Sequence, residues 1–205
     1  MKSIQLSIAI LAGGASSRFG SDKATVNFRG MPLIKHLLWR FRKYTDDLFL
    51  VSRFDSPDRL QLVDVEIVYD SYPTRSVMSA VIDAIANSKN QWVFVLAVDL
   101  PLITYDFIEW MVTNSNLETT DACMIIPSSS SGTQPLCALY NKAAEVVLKN
   151  ELLAGQQRLK DISNDTNCIH LKIPTKLEWQ CLNMNTPDDL RRAEHLAEAN
   201  RLRFT

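Results

Sequence analysis

At 205 residues with 46% hydrophobic content, the chain is long enough for one well-packed domain and little more. Lys and Arg number 22 against 23 Asp and Glu, and a pI near 6.3 leaves no cationic surplus for a long phosphate backbone, so nucleic acid is excluded as the expected partner. No stretch approaches the ~18 continuous apolar residues of a membrane span. The four scattered cysteines, Cys123, Cys137, Cys168 and Cys181, form no C-x-x-C pair and read as small buried apolar side chains in a reducing cytoplasm.

Met1-Lys2 and the apolar residues after it imitate the start of a signal peptide, but Gln5 and Ser7 interrupt the run. Ile4 to Leu11 is therefore read as a first β-strand. The loop behind it, Ala12-Gly13-Gly14-Ala15-Ser16-Ser17-Arg18-Phe19-Gly20-Ser21-Asp22-Lys23, has glycines that let backbone N–H groups approach a ligand, and an Arg and a Lys that can answer negative charge. A polar surface turn would account for Gly-Gly and Ser-Ser equally well. Val26 to Gly30 reads as a short extended piece closing in a turn at Gly30. Pro32 suits the first turn of a helix on which Leu33, Ile34, Leu37, Leu38 and Phe41 share one face. His36 in that helix is expected to be partly exposed. Leu48 to Val51 is a compact buried strand, and Val65 to Tyr69 a shorter one that ends on Asp70.

From Ser76 to Asn87 the apolar spacing predicts a helix. Trp92 to Val98 then places seven apolar residues in a row, which implies burial on both faces and hence a parallel sheet covered by helices. That strand ends on Asp99. Thr104 caps a helix to Thr113, Ala122 to Ile126 is a strand, and the Ser128 to Gly132 run reads as a flexible surface loop. Gln134 to Tyr140 reads as strand, Lys142 to Lys149 as helix and Cys168 to Ile173 as strand. Gln156 to Asp161 reads as a basic, solvated helix face. Thr186-Pro187-Asp188-Asp189 is a strong helix start, with a hydroxyl cap, a proline at the first helical position and carboxylates in the first turn.

Strand and helix alternate through the first two thirds, so the expected architecture is an open, doubly wound α/β sheet. In such sheets ligands lie at the carboxyl ends of the strands, where strand order reverses. The Gly13 loop, Asp70 and Asp99 all sit at such ends, although an Asp after a buried strand can also be only a turn residue. The Walker A pattern fails because Lys23 follows Ser21-Asp22 rather than a glycine, and G-x-G-x-x-G fails because adjacent Gly13-Gly14 are followed by a gap to Gly20. What remains is a loop of backbone donors with an Arg and a Lys, and a separate Asp able to hold Mg²⁺.

L-A-G-G-x-S-x-R-x-G-x-D-K from Leu11 to Lys23 resembles the signature loop of the nucleotidyltransferases, and among them the molybdenum cofactor guanylyltransferases, or MobA-like proteins. The resemblance continues through Gly30-Met31-Pro32-Leu33, Asp70, Val98-Asp99-Leu100-Pro101-Leu102, Gln134-Pro135-Leu136 and Asn183-Met184-Asn185-Thr186-Pro187-Asp188-Asp189-Leu190. It implies a Rossmann-like nucleotidyltransferase fold, a three-layer, mostly parallel sheet in a single domain over residues 1–205. It further implies a cytoplasmic, Mg²⁺-dependent transfer of GMP from GTP to the terminal phosphate of molybdopterin.

On this resemblance Leu11, Ala12, Gly13 and Gly14 bind the nucleotide through backbone groups, Lys23 and Arg18 meet the phosphates, Ser52 and Asp70 contact the nucleoside, and Asp99 holds Mg²⁺. Gln134, Asn183 and Asn185 face the acceptor. Molybdenum-insertion proteins or molybdoenzyme chaperones are the implied protein partners. One departure stands out, because the family's Gly-Pro-Leu-x-Gly after Asp70 is here Ser76-Val77-Met78-Ser79-Ala80. Met78 and Ala80 are expected to narrow the pocket or hold the base farther out. That departure keeps open a cytidylyltransferase and a nucleotide-binding delivery module as alternatives.

Overall fold

The computed structural model describes residues 5–12, 23–52, 64–72, 76–130, 132–156, 158–165 and 167–202. The central strands are β1 (Leu6–Leu11), β4 (Leu48–Ser52), β5 (Glu66–Tyr69), β6 (Trp92–Ala97), β7 (Met124–Ser129), β9 (Cys137–Asn141) and β10 (Cys168–Lys172). They form an eight-stranded sheet in the order β10-β7-β9-β6-β1-β4-β5, with β8 (Gly132–Thr133) paired to β7. Pairings β1–β4, β1–β6, β4–β5 and β7–β10 are parallel. Only β9, inserted between β6 and β7, and the short β8 run against their neighbours.

Alternation along the central strands divides the core between two faces. Ile8, Ile10, Leu50, Phe94 and Leu96 point to one side, against α1 (Leu33–Phe41), α3 (Tyr105–Thr113), the short α6 (Thr175–Glu178) and α7 (Pro187–Ala199). Ala9, Leu11, Phe49, Val51, Val93 and Val95 point to the other, against α2 (Val77–Asn87), α4 (Ala144–Leu153) and α5 (Leu159–Asp165). This gives three layers. The chain winds outward from β1 through α1 to β4 and on to β5, then returns through α2 to place β6 on the opposite flank of β1. Right-handed crossovers put the helix on the other face when the direction of winding reverses, so α1 and α2 lie on opposite sides. The reversal falls between β1 and β6.

Each fully buried aliphatic or aromatic side chain contributes roughly 1.5–3 kcal/mol of transfer free energy, and α1 commits Leu33, Ile34, Leu37, Leu38 and Phe41 to this purpose. Two polar side chains share that face. His36 is 2% exposed rather than partly exposed, and its Nε2 hydrogen-bonds the Phe28 carbonyl. Burial lowers the His36 pKa, opposed by that hydrogen bond. Pro32 lies just before α1, at its cap with extended backbone, rather than in the first turn.

Between β2 (Asn27–Phe28) and β3 (Met31–Pro32), Arg29 and Gly30 both have positive φ, 47° and 96°. That is the mirror-image turn a tight hairpin favours, and Gly30 N–H donates to Asn27 Oδ1 at 2.8 Å. Within the expected loop at 128–132, Ser128 and Ser129 instead extend β7 and pair antiparallel with Thr133 and Gly132. At the amino ends of the strands, Ser7 donates its hydroxyl to buried Asp47, which also accepts the Lys89 N–H at 2.8 Å. This pairing explains the polar residue inside β1, since buried polar atoms are tolerated when hydrogen-bonded.

The four cysteines are free thiols, with Cys123 and Cys137 buried and Cys168 and Cys181 only half-buried. In α5, Leu159 and Ile162 pack into the core while Lys160 and Asp161, and Arg158 just before the helix, are exposed, so these charged residues face solvent. Among the described residues no helix is long and apolar enough to cross a membrane.

Candidate active site at the carboxyl edge of the sheet

The carboxyl ends of β5, β4, β1 and β6 lie side by side and are tied to one another by backbone hydrogen bonds. Asp70 N–H donates to the Ser52 carbonyl, Ala12 N–H to the Val51 carbonyl and Val98 N–H to the Leu11 carbonyl, at 2.9, 2.9 and 3.1 Å. Leu11, Ala12, Ser52, Asp70 and Asp99 are thereby brought to one edge, spanning the point where strand order reverses. Ligands in open α/β sheets occupy this position because the strand ends and helix starts there leave backbone groups free to bind. Ser52 is 2% exposed and its Oγ makes no hydrogen bond among the described residues. An orphaned buried hydroxyl is destabilising by about 1–3 kcal/mol unless something satisfies it.

Gln134 reaches the same edge from the far side of β6. Ala97 N–H donates to the Leu136 carbonyl at 2.8 Å, and Cys137 N–H to the Gln134 carbonyl at 3.0 Å. The strand begins only at Cys137, so Gln134-Pro135-Leu136 is a turn rather than strand. Tyr140, completely buried, donates its hydroxyl to the Pro135 carbonyl at 2.7 Å and fixes that turn. Burial pushes the Tyr140 pKa far above its ordinary value, so the phenol remains a donor.

Asn183 and Asn185 arrive from the segment before α7. Met184 between them is 0% exposed and both asparagines are exposed, so the buried methionine anchors the segment and sends its neighbours outward. Thr186 and Asp189 form a reciprocal capping box at the start of α7, as the sequence predicts. A backbone hydrogen bond from Asn185 holds the Asp189 carboxyl below its usual range, with further help from Thr186.

Gly13, Gly14 and Arg18 lie outside the described residues, as does the side chain of Lys23. The backbone of Lys23 opens a 3-10 turn, Lys23–Thr25.

The turn after Asp99 is held by side chains that the sequence reading passed over. One terminal nitrogen of Arg40, on α1, donates to the carbonyls of Pro101 and Ile103 at 2.8 and 2.7 Å. Gln180 Oε1 accepts from Thr104 N–H and Oγ1 at 2.8 and 3.1 Å. The expected Thr104 cap at α3 is therefore occupied by Gln180 instead of a helix amide. Arg40 is 6% exposed, and burial pulls its pKa down to about 10. Its spacing carried a signal, because Arg40 falls seven residues after Leu33, on the buried stripe of the helix.

Helix α2 starts beside Asp70, and here the structure corrects an expectation. Met78 is 0% exposed and packs into the core with Leu11 and Val81, so it fills the interior instead of narrowing a pocket. Ala80 packs against the same cluster. The residue of this segment that does reach Asp70 is a serine. Ser79 donates to Asp70 Oδ2 at 3.1 Å, and Ser76 caps the helix by accepting the Ser79 N–H at 3.1 Å.

Comparison with known proteins adds an independent finding. Residues 8–169 match the model of the MobA-like NTP transferase domain. A relative from Thermococcus gammatolerans named "Probable molybdenum cofactor guanylyltransferase" is 30% identical over 188 residues, covering 89% of this chain and 95% of the relative. One of the same name from Natranaerobius thermophilus is 28% identical over 197 residues, covering 92% and 94%. Among solved structures, molybdopterin-guanine dinucleotide biosynthesis protein A from Archaeoglobus fulgidus superposes with a TM-score of 0.79 at 22% identity, covering 94% of this chain and 99% of that one. The last comparison speaks to the fold, and it agrees with the three-layer, mostly parallel sheet.

Proposed function

The chain belongs to the MobA-like NTP transferase family, and on that premise we propose that it transfers the GMP moiety of GTP to the terminal phosphate of molybdopterin and releases pyrophosphate. The names of its relatives support the nucleotide and the acceptor. The observation that carries the reading is the convergence of Leu11, Ser52, Asp70 and Asp99 on one sheet edge across the β1/β6 reversal. Within this reading residues 1–205 act as one nucleotidyltransferase domain in the cytoplasm.

An oxygen of the acceptor's terminal phosphate attacks the α-phosphorus of GTP. As that bond forms, the bond from the α-phosphorus to the bridging oxygen breaks, and pyrophosphate leaves with the electron pair. Nucleophile and leaving group are already anions, so no general base is required. The protein aligns the two substrates and neutralises the repulsion between them. Backbone groups of Leu11, Ala12, Gly13 and Gly14 bind the nucleotide, and Lys23 and Arg18 oppose the phosphate charge. Ser52 and Asp70 meet the nucleoside, and Gln134, Asn183 and Asn185 meet the acceptor. A cation about 4 Å from a phosphate charge contributes on the order of 4 kcal/mol at an effective dielectric of 20.

Asp99 would hold Mg²⁺. Among the described residues no group of three or more His, Cys, Asp or Glu side chains could cage a metal. A half-buried single carboxylate at a strand end fits Mg²⁺, which takes one or two carboxylates and completes its shell with water and substrate phosphates. When bound, the ion supplies positive charge to the phosphate oxygens.

The test is pyrophosphate release with each of the four nucleoside triphosphates, with and without molybdopterin, beside thermal shifts for the same nucleotides. GTP alone is expected to stabilise the protein, and pyrophosphate to appear only when molybdopterin is present. Selective use of CTP would replace this reading with cytidylyl transfer. Stabilisation by a nucleotide without any turnover would replace it with a delivery module.

A further inference from the structure

The turn that carries Asp70 is gripped from helix α2, about two helical turns beyond the capping serine. Asp83, 5% exposed, accepts two hydrogen bonds from Ser71, one from its backbone N–H at 3.0 Å and one from its hydroxyl at 2.6 Å. On the residue before, Asp70 Oδ1 accepts the Tyr72 N–H at 3.0 Å, and Oδ2 lies 3.1 Å from the Ser79 hydroxyl, whose one hydrogen it shares with the Ser76 carbonyl at 2.7 Å. An ionised carboxylate has about four acceptor positions, two on each oxygen. Among the described residues these contacts take one position on each oxygen of Asp70, and the Asp83 carboxyl itself lies within hydrogen-bonding reach of the Asp70 carboxyl. That arrangement holds only while the 70–72 turn keeps its shape, and Ser71, next to Asp70 in that turn, is the residue Asp83 clamps. Burial raises the Asp83 pKa, the Ser71 hydrogen bonds oppose that shift, and the neighbouring Asp70 adds to it. A charged group is buried here for a grip on two donors of one turn residue, and the helix gains no cap from it.

We propose that Asp83 is a positioning residue for nucleoside recognition, which by clamping Ser71 fixes the orientation of the Asp70 carboxylate toward the nucleoside. Asp83 touches neither substrate in this scheme and acts through Ser71 and through its own contact with Asp70. The inference rests on the assignment of Asp70 to the nucleoside made above.

The experiment measures KM for GTP and kcat for molybdopterin-dependent pyrophosphate release, with melting temperatures, in the wild type and in Asp70→Ala, Asp83→Ala, Asp83→Asn and Ser71→Ala. Losing both hydrogen bonds in Asp83→Ala is expected to raise KM for GTP about tenfold with kcat changed less than about twofold. Asp83→Asn is expected to return KM close to the wild-type value, because its amide oxygen can accept the Ser71 N–H while its amide nitrogen donates to the Ser71 hydroxyl. Ser71→Ala removes one of the two bonds and is expected to raise KM about threefold. Should Asp83→Ala fail to fold, Ser71→Ala and Asp83→Asn decide the matter. An unchanged KM in Asp83→Ala, or a lower melting temperature and kcat with KM untouched, would overturn the proposal, as would an Asp83→Asn variant as impaired as the alanine. If the wild type itself is not saturated by GTP, or Asp70→Ala leaves KM unaltered, the underlying assignment of Asp70 is what has failed.

Discussion

Met184 donates its backbone N–H to the carbonyl oxygen of Asp99 at 2.8 Å, joining the segment before the last helix to the turn after β6. The sequence separates these residues widely, yet the bond brings the segment that carries the exposed Asn183 and Asn185 to the Asp99 turn. Acceptor and metal assignments thus meet through a single main-chain contact, anchored by a methionine that is 0% exposed.

Asp99→Ala is expected to lower turnover by about three decades, the equivalent of on the order of 4 kcal/mol of charge stabilisation. Asp99 is half-buried and its backbone bond to Met184 survives the substitution, so circular dichroism and the melting temperature should change little. An active Asp99→Ala enzyme would remove the metal assignment.

Arg40→Met leaves the Pro101 and Ile103 carbonyls without their donor and keeps most of the apolar stem. Two buried acceptors stripped of partners amount to about 3 kcal/mol of lost stability. Urea unfolding measures this directly, and pyrophosphate release by the folded fraction should fall as the 99–104 turn loosens. Wild-type stability in the variant would mean that water satisfies those carbonyls without help.

The thiols offer a test of the core. Burial raises all four, with Cys168 pushed up to about 11 and Cys181 to about 12, and Cys123 and fully buried Cys137 also moved upward. The thiolate is the reactive form, so at pH 8 the folded protein should react with Ellman's reagent at least about 100-fold more slowly than the guanidinium-unfolded chain. Rapid labelling of any one thiol in the folded state would contradict the packing around it.

Thr186→Ala removes the hydroxyl that accepts the Asp189 N–H at 3.2 Å and should lower stability by about 1 kcal/mol. The Asp189 carboxyl has a depressed folded pKa, so its contribution is present above the unfolded value near 3.9 and is lost as pH falls through the lower folded value. The stability difference between wild type and Asp189→Asn should accordingly shrink below about pH 4. A difference independent of pH would show that Asp189 acts by something other than its charge.

The sequence by itself determined the alternation of strands and helices, the identity of the edge on which polar residues gather and the cap at Thr186. These are local properties: apolar period, turn chemistry and the residue that follows a buried strand depend on near neighbours. The wider family relationship was legible for the same reason, since its motifs lie at strand ends where only a few residue types serve.

Tertiary structure decided what depends on distant partners. Met78 occupies the core instead of the pocket because α2 turns that side toward the sheet, into the cluster that holds Leu11 and Val51. Ser128 and Ser129 extend β7 because Gly132 and Thr133 fold back on them. His36 and Arg40 are polar residues on a buried helix stripe, tolerated because the Phe28, Pro101 and Ile103 carbonyls accept from or pair with them. Asp83 gives no sign of its purpose in a sequence that places it 12 residues after Ser71. A hydrogen-bond partner across the fold leaves no period and no motif, so these roles become visible only when the chain is closed.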